Sequence, residues 1–159
     1  MSVLIAVQVL AVLSTGLKAG VLFGDQMGAR FARPGLSPSS FVKFQQVQLV
    51  RWERFMPALS ATTIVSGTAW LGLMWARIGS VSFVLVTLAT VAAIFSMVLA
   101  VKGCLPVVRQ LMTWSIDSPP TDLMETWARW EHVNAIRTSL AAIGFVCVAL
   151  ALASSRAAA

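Results

Sequence analysis

Val81-Ser-Phe-Val-Leu-Val-Thr-Leu-Ala-Thr-Val-Ala-Ala-Ile-Phe-Ser-Met-Val-Leu-Ala-Val101 is a run of 21 residues without a charged side chain. At 1.5 Å rise per residue, a helix of that length covers about 30 Å, the hydrocarbon thickness of a bilayer. Working outward, three more apolar stretches of similar length flank it: Val3 to Phe23, Phe55 to Ala76 and about Val133 to Ala153. The whole chain has 159 residues, 58% of them apolar and 11% charged, with mean hydropathy +0.82. A soluble domain carries about 25% charged residues. Composition therefore excludes an ordinary soluble domain, a disordered tail and a coiled coil. The expectation is all-α: a single transmembrane domain over residues 1–159, an integral membrane four-helix bundle, multi-pass in the cell membrane.

Spans two and three are joined by Arg77–Ser80, which predicts a tight hairpin. The other connections, Gly24–Arg54 and Lys102–His132, are long and fall on one side. They hold Arg30, Arg33, Lys43, Arg51, Arg54, Lys102, Arg109 and Arg129, eight cations against Arg77 and Arg156 opposite. The positive-inside bias makes the long connections cytoplasmic and puts both termini on the non-cytoplasmic side. It also accounts for the net charge of +6 without nucleic acid as a partner. The first stretch lacks the basic flank and clean small-residue site of a cleavable signal and reads as a span. Ser37-Pro38 and Ser118-Pro119 each read as an N-cap followed by proline at the first helical position, opening helices that run on into spans two and four. Pro57 should bend the second.

Arg51-Trp52-Glu53 and Arg129-Trp130-Glu131 are identical and 78 residues apart. Three residues can match by chance. If they mark a duplication, spans one-two and three-four are two repeated helical hairpins, and helices two and four share one interior. Gly16, Gly20, Gly24 and Gly28 make a small-residue face on helix one. That face predicts close helix packing, within the chain or between copies in a homo-oligomer or larger membrane complex. His132 is the only histidine, so a dedicated transition-metal site is not expected. Cys104 and Cys147 differ too far in depth to form a disulfide.

Ionisable residues within spans are costly and usually face an interior. Lys18, Glu53, Glu131, Asn134 and Arg137 are the candidates, all toward one end. Trp127, Glu131, Asn134 and Thr138 follow helical spacing on one face, with Arg137 adjoining. A carboxylate, an amide and a guanidinium so placed can hold a planar anion, whereas snorkelling to headgroups suits Arg54, Lys102 and Lys18. An unpaired guanidinium a turn inside a span costs about 2.5–3.5 kcal/mol. Arg137 is therefore expected to pair with a carboxylate, Glu53 on helix two, leaving Glu131 free to face a cavity.

Trp127-Ala-Arg-Trp130-Glu131-His-Val-Asn134-Ala-Ile-Arg137-Thr138, running into an Ala/Leu-rich final helix, resembles the signature of the anthrone oxygenase-like family. These are small four-helix membrane proteins, many catalogued as a domain of unknown function. Trp130, Asn134 and Arg137 fill the family's tryptophan, histidine-or-asparagine, arginine pattern, and the glycine-rich first helix and Pro57 are similar too. Members commonly carry Asn-x-Pro-x-Asn after the third span, where this chain has Cys104-Leu-Pro106-Val-Val108. The resemblance implies an oxidoreductase that converts an anthrone-like polycyclic aromatic to a quinone with dioxygen and no metal or flavin cofactor. Glu131 would then be the base, Arg137 and Asn134 the donors to the anion, Trp127 and Trp130 the walls, and Lys18 and Glu53 the closing residues. Two alternatives stand beside it: a non-catalytic small subunit of a membrane complex, and a component that binds a quinone-like molecule among membrane lipid.

Overall fold

The computed structural model describes residues 2–157. Every regular element among them is helical, gathered into four long rods. α1 is Val3–Gly35, α2 Pro38–Leu73, α3 Val81–Met112 and α4 Leu123–Ala157. Ser2, Ser37 and Ser80 cap the first three, their hydroxyls accepting from the amides of Ile5, Ser40 and Phe83 at 3.2–3.4 Å. Each cap satisfies an amide that has no partner within the helix.

Three of the rods, α1, α3 and α4, are long and apolar enough to cross a membrane. α2 has the length but is diluted by hydroxyls. Thr62, Thr63, Ser66 and Thr68 each donate to the carbonyl four residues back, at 2.7–2.9 Å, so they carry no unmet hydrogen bonds of their own. Outward faces are apolar: Leu13 and Leu17 on α1, Val65 on α2, Leu88 and Val91 on α3, and Ile143 and Val146 on α4 are exposed.

The expected long connections are mostly helix. α1 continues to Gly35 and α3 to Met112, leaving residues 36–37 and 113–122 to reverse the chain. Ser118-Pro119 is not a cap, because α4 starts at Leu123. Pro120 is the reason: a residue before proline is pushed out of the α region, so Pro119 cannot open a helix. Arg77–Ser80 is the tight reversal expected. The side chain of Arg156, one of the cations counted opposite the long connections, lies outside the described residues.

The rods close a ring in chain order, α1 on α2 and α4, α3 on α2 and α4. Around Trp127 the core is built from Phe41, Leu49, Val107, Leu111 and Trp130, and at the other end from Trp70, Val86, Val148 and Ala151. Trp52 and Trp130, from the two copies of the repeated tripeptide, meet across the interior at 6.3 Å between ring centroids.

α1 and α3 each contain one π-turn, Asp25–Ala29 and Ala100–Cys104, with glycine fourth in both. Gly103 is there because a Cβ would lie 2.8 Å from a Val133 methyl. The glycine face of α1 is not a packing seam within the chain. A Cβ on Gly16 would meet the Phe145 ring at 2.9 Å, but at Gly20, Gly24 and Gly28 nothing lies within 4 Å.

Candidate functional site

The charged residues gather where α1 and α4 meet near the Trp127 end. Arg33 and Asp25 form an ion pair with side chains only 2% and 1% exposed. Eight residues along a regular helix leave two side chains about 80° apart. The π-turn at Asp25–Ala29 absorbs the extra residue and brings both onto one face. Arg33 also lies 3.5 Å from Glu131, which Arg30 approaches at 3.6 Å. Trp127 Nε1 donates to the same carboxylate at 3.1 Å. Under the guanidinium lie Trp127 and Trp130, 5.2 and 5.7 Å away and stacked on each other at 4.3 Å. A cation over aromatic faces in a dry setting is a favourable arrangement.

From Asp25 the network runs inward. Gln48 Nε2 and Asn134 Nδ2 donate to its two oxygens, at 3.1 and 3.3 Å. Asn134, fully buried, accepts from Arg137 Nη1 at 3.2 Å. Arg137 Nε donates to the Ser96 carbonyl at 3.3 Å, and Nη1 also reaches Cys104 Sγ at 3.4 Å. Nη2 has no partner among the described residues.

Two clefts flank this network. One, of about 160 Å³, lies between α2 and α3; Trp52, Glu53 and Met56 line one wall and Cys104, Leu105 and Val108 the other, with Trp130 and Arg137 at its base. The second, about 320 Å³, lies between α1 and α4 and is lined by Arg30, Arg33, Trp127 and Glu131.

The structure separates the expected site residues. Arg137 does point inward, being 7% exposed, but Glu53 is not its partner. Among the described residues no carboxylate lies within salt-bridge distance of its guanidinium. Ser96, Asn134 and Cys104 take the place expected for an acid. Glu131 is not free in a cavity with Arg137; it is held by Arg33, Arg30 and Trp127 beside the other cleft. Trp127 and Trp130 stack against each other as core and do not form two facing walls. Lys18 does not snorkel: it is 2% exposed, with no hydrogen bond or ion pair among the described residues. His132 is exposed, turned from the buried face as its spacing predicts.

Sequence spacing does not single out Arg33, Arg30, Gln48 or Cys104 as site residues, and it places Arg33 only among the loop cations. The signal that places it inside, a π-turn, has no sequence signature beyond Gly28. No protein-family model, characterised protein or solved structure matches the chain.

Proposed function

We propose that the chain is an integral membrane four-helix bundle of two repeated hairpins, with both termini on the non-cytoplasmic side. In this reading the cleft between α2 and α3 takes up a lipophilic, weakly acidic aromatic molecule. As in the anthrone oxygenases it resembles, that molecule is oxidised by dioxygen. The observation that carries the proposal is Arg137: a buried guanidinium at the base of an apolar cleft, with no carboxylate beside it. Charge balance supports the same ligand class. Lys18, Arg33 and Arg137 are buried cations, and among the described residues only Asp25 and Glu131 oppose them inside the network. An anion lodged on Arg137 offsets the excess, and in a water-poor cleft that attraction is stronger than in water.

For an anthrone the chemistry balances simply. Loss of a proton from the doubly benzylic carbon puts the electron pair on the ring-conjugated carbonyl oxygen, where a guanidinium stabilises it. The carbanion adds dioxygen, and the peroxide anion so formed takes up a proton to give a hydroperoxide. Loss of water then leaves the quinone carbonyl, one dioxygen being consumed for each quinone and water formed.

Purified protein in lipid nanodiscs, given anthrone in air, should form anthraquinone by absorbance with matching oxygen uptake, and Arg137→Gln should abolish the increase over empty nanodiscs. Quinone formation no faster than in empty nanodiscs refutes the oxidase reading. A second reading, a binding component without turnover, is favoured by the pairing of Glu131 and Asn134 into the structural network. Native mass spectrometry separates the two: a retained aromatic ligand without oxygen uptake identifies the binder.

A further inference from the structure

The two halves of the chain differ at one functional point. The repeated tripeptide relates Trp52 and Glu53 to Trp130 and Glu131 at an offset of 78 residues, and the two π-turns relate α1 to α3 at an offset of 75. The packing agrees, since α1 against α4 is the counterpart of α3 against α2. On this correspondence the two clefts are equivalent. Glu131 has three partners: Arg33 and Trp127 donate to Oε1, and Arg30 stands as a countercharge 3.6 Å from Oε2. The equivalent positions around Glu53 are Leu105, Val108 and Leu49. All three are apolar and all three line the α2–α3 cleft with Glu53. One carboxylate of the repeat is locked into an ion-pair network. Its twin has lost every donor and stands exposed beside an apolar cleft that has Arg137 at its base.

We infer that Glu53, and not Glu131, is the proton acceptor of the cleft, acting on lipophilic aromatics whose acidic C–H or O–H becomes an anion held by Arg137. This rests on the ligand reading given above. The substrate C–H bond breaks, and its proton passes to a Glu53 carboxylate oxygen. The electron pair moves onto the conjugated carbonyl oxygen, to which the otherwise unpartnered Nη2 of Arg137 donates. Being exposed, Glu53 then returns the proton to solvent. Glu131 does not take this role, because it is tied to Arg33, Arg30 and Trp127 beside the other cleft and does not line this one.

Proton abstraction can be measured apart from oxidation. Under anaerobic conditions in D2O, the full chain in nanodiscs should accelerate deuterium exchange at the methylene carbon of anthrone over empty nanodiscs. Glu53→Gln should lose about 100-fold of that acceleration, within the usual contribution of a general base. Glu131→Gln should keep it within about twofold, since Glu131 does not line this cleft. Leu105→Arg, which sets a cation beside Glu53 as Arg30 stands beside Glu131, should also suppress exchange with the carboxylate still present. Glu53 makes no ion pair or side-chain hydrogen bond among the described residues, so its loss should leave the fold intact by circular dichroism. No acceleration by the unaltered chain, or loss in Glu131→Gln with retention in Glu53→Gln, overturns the assignment. Exchange without oxygen uptake once air is admitted upholds Glu53 as the base and refutes the oxidase reading.

Discussion

Replacing Arg33 with Met removes the cation of a buried ion pair while keeping most of its volume. Asp25 then stays 1% exposed, with two amide donors, Gln48 and Asn134, and no countercharge. Breaking a buried pair by removing one partner costs about 3–5 kcal/mol. The remaining amide donors put the expected loss near the lower bound, about 3 kcal/mol, or more than 100-fold in the unfolding equilibrium. Unfolding by SDS titration of mixed micelles measures it. Tryptophan fluorescence serves as a local probe, because Trp127 and Trp130 lie directly beneath the guanidinium. Arg33→Met with Asp25→Leu should lose less than the two single changes combined, since Arg33→Met alone leaves Asp25 without a countercharge, Asp25→Leu alone leaves Arg33 with only Glu131, and the double change leaves no unpaired buried charge of this pair. A coupling of at least about 2 kcal/mol is expected for groups in direct contact. A loss under about 1 kcal/mol for Arg33→Met, or simple additivity, refutes the placement of this pair in a buried, dry setting.

Gly103→Ala should destabilise by about 1–3 kcal/mol, because its Cβ would overpack against Val133. Gly24→Ala, with open space around it, should be neutral or stabilising by up to about 1 kcal/mol in the same titration. If Gly24→Ala leaves the monomer fold unchanged but shifts the oligomer size, the glycine face packs between copies. Arg137→Lys keeps the charge but cannot reach Ser96 and Asn134 together. It should weaken retention of an anionic aromatic roughly tenfold, the loss of one charge-assisted hydrogen bond, by native mass spectrometry. Cys104, in the cleft, should react with an apolar maleimide and be protected by bound anthraquinone. Reaction unaffected by the ligand would place the ligand elsewhere.

What sequence conveyed best was what depends on local rules. The serine cap at Ser37, the short reversal at Arg77–Ser80, and the buried face of Trp127, Asn134 and Thr138 follow from hydrogen bonding and helical spacing alone. The partners of Glu131 and Arg137 did not follow, because they depend on helix phase after a π-turn. A constant 100° per residue leaves Arg33 pointing elsewhere. Ser118-Pro119 failed on one neglected neighbour, Pro120. The repeat at Trp52 and Trp130 was legible as a match of three residues. What distinguishes Glu53 from Glu131 was not, because it lies in apolar residues of α3 whose counterparts on α1 are the arginines.

The π-turns let α1 and α3 absorb a change in chain length. Removing one residue from Asp25–Ala29 would let the helix run on in regular α geometry, and Asp25 and the arginine, then seven residues apart, would still share a face to within about 20°. Rewinding all five residues as regular α-helix would instead turn everything beyond by about 100° and swing Arg33 off Asp25 and the tryptophans. Substitutions at Met27 or Gly28, both exposed, should by contrast pass almost unnoticed. A family of such chains could differ by one residue in these segments and keep the same faces beyond them. That signature of geometry, and not of side-chain chemistry, would be read in gaps, not in identities.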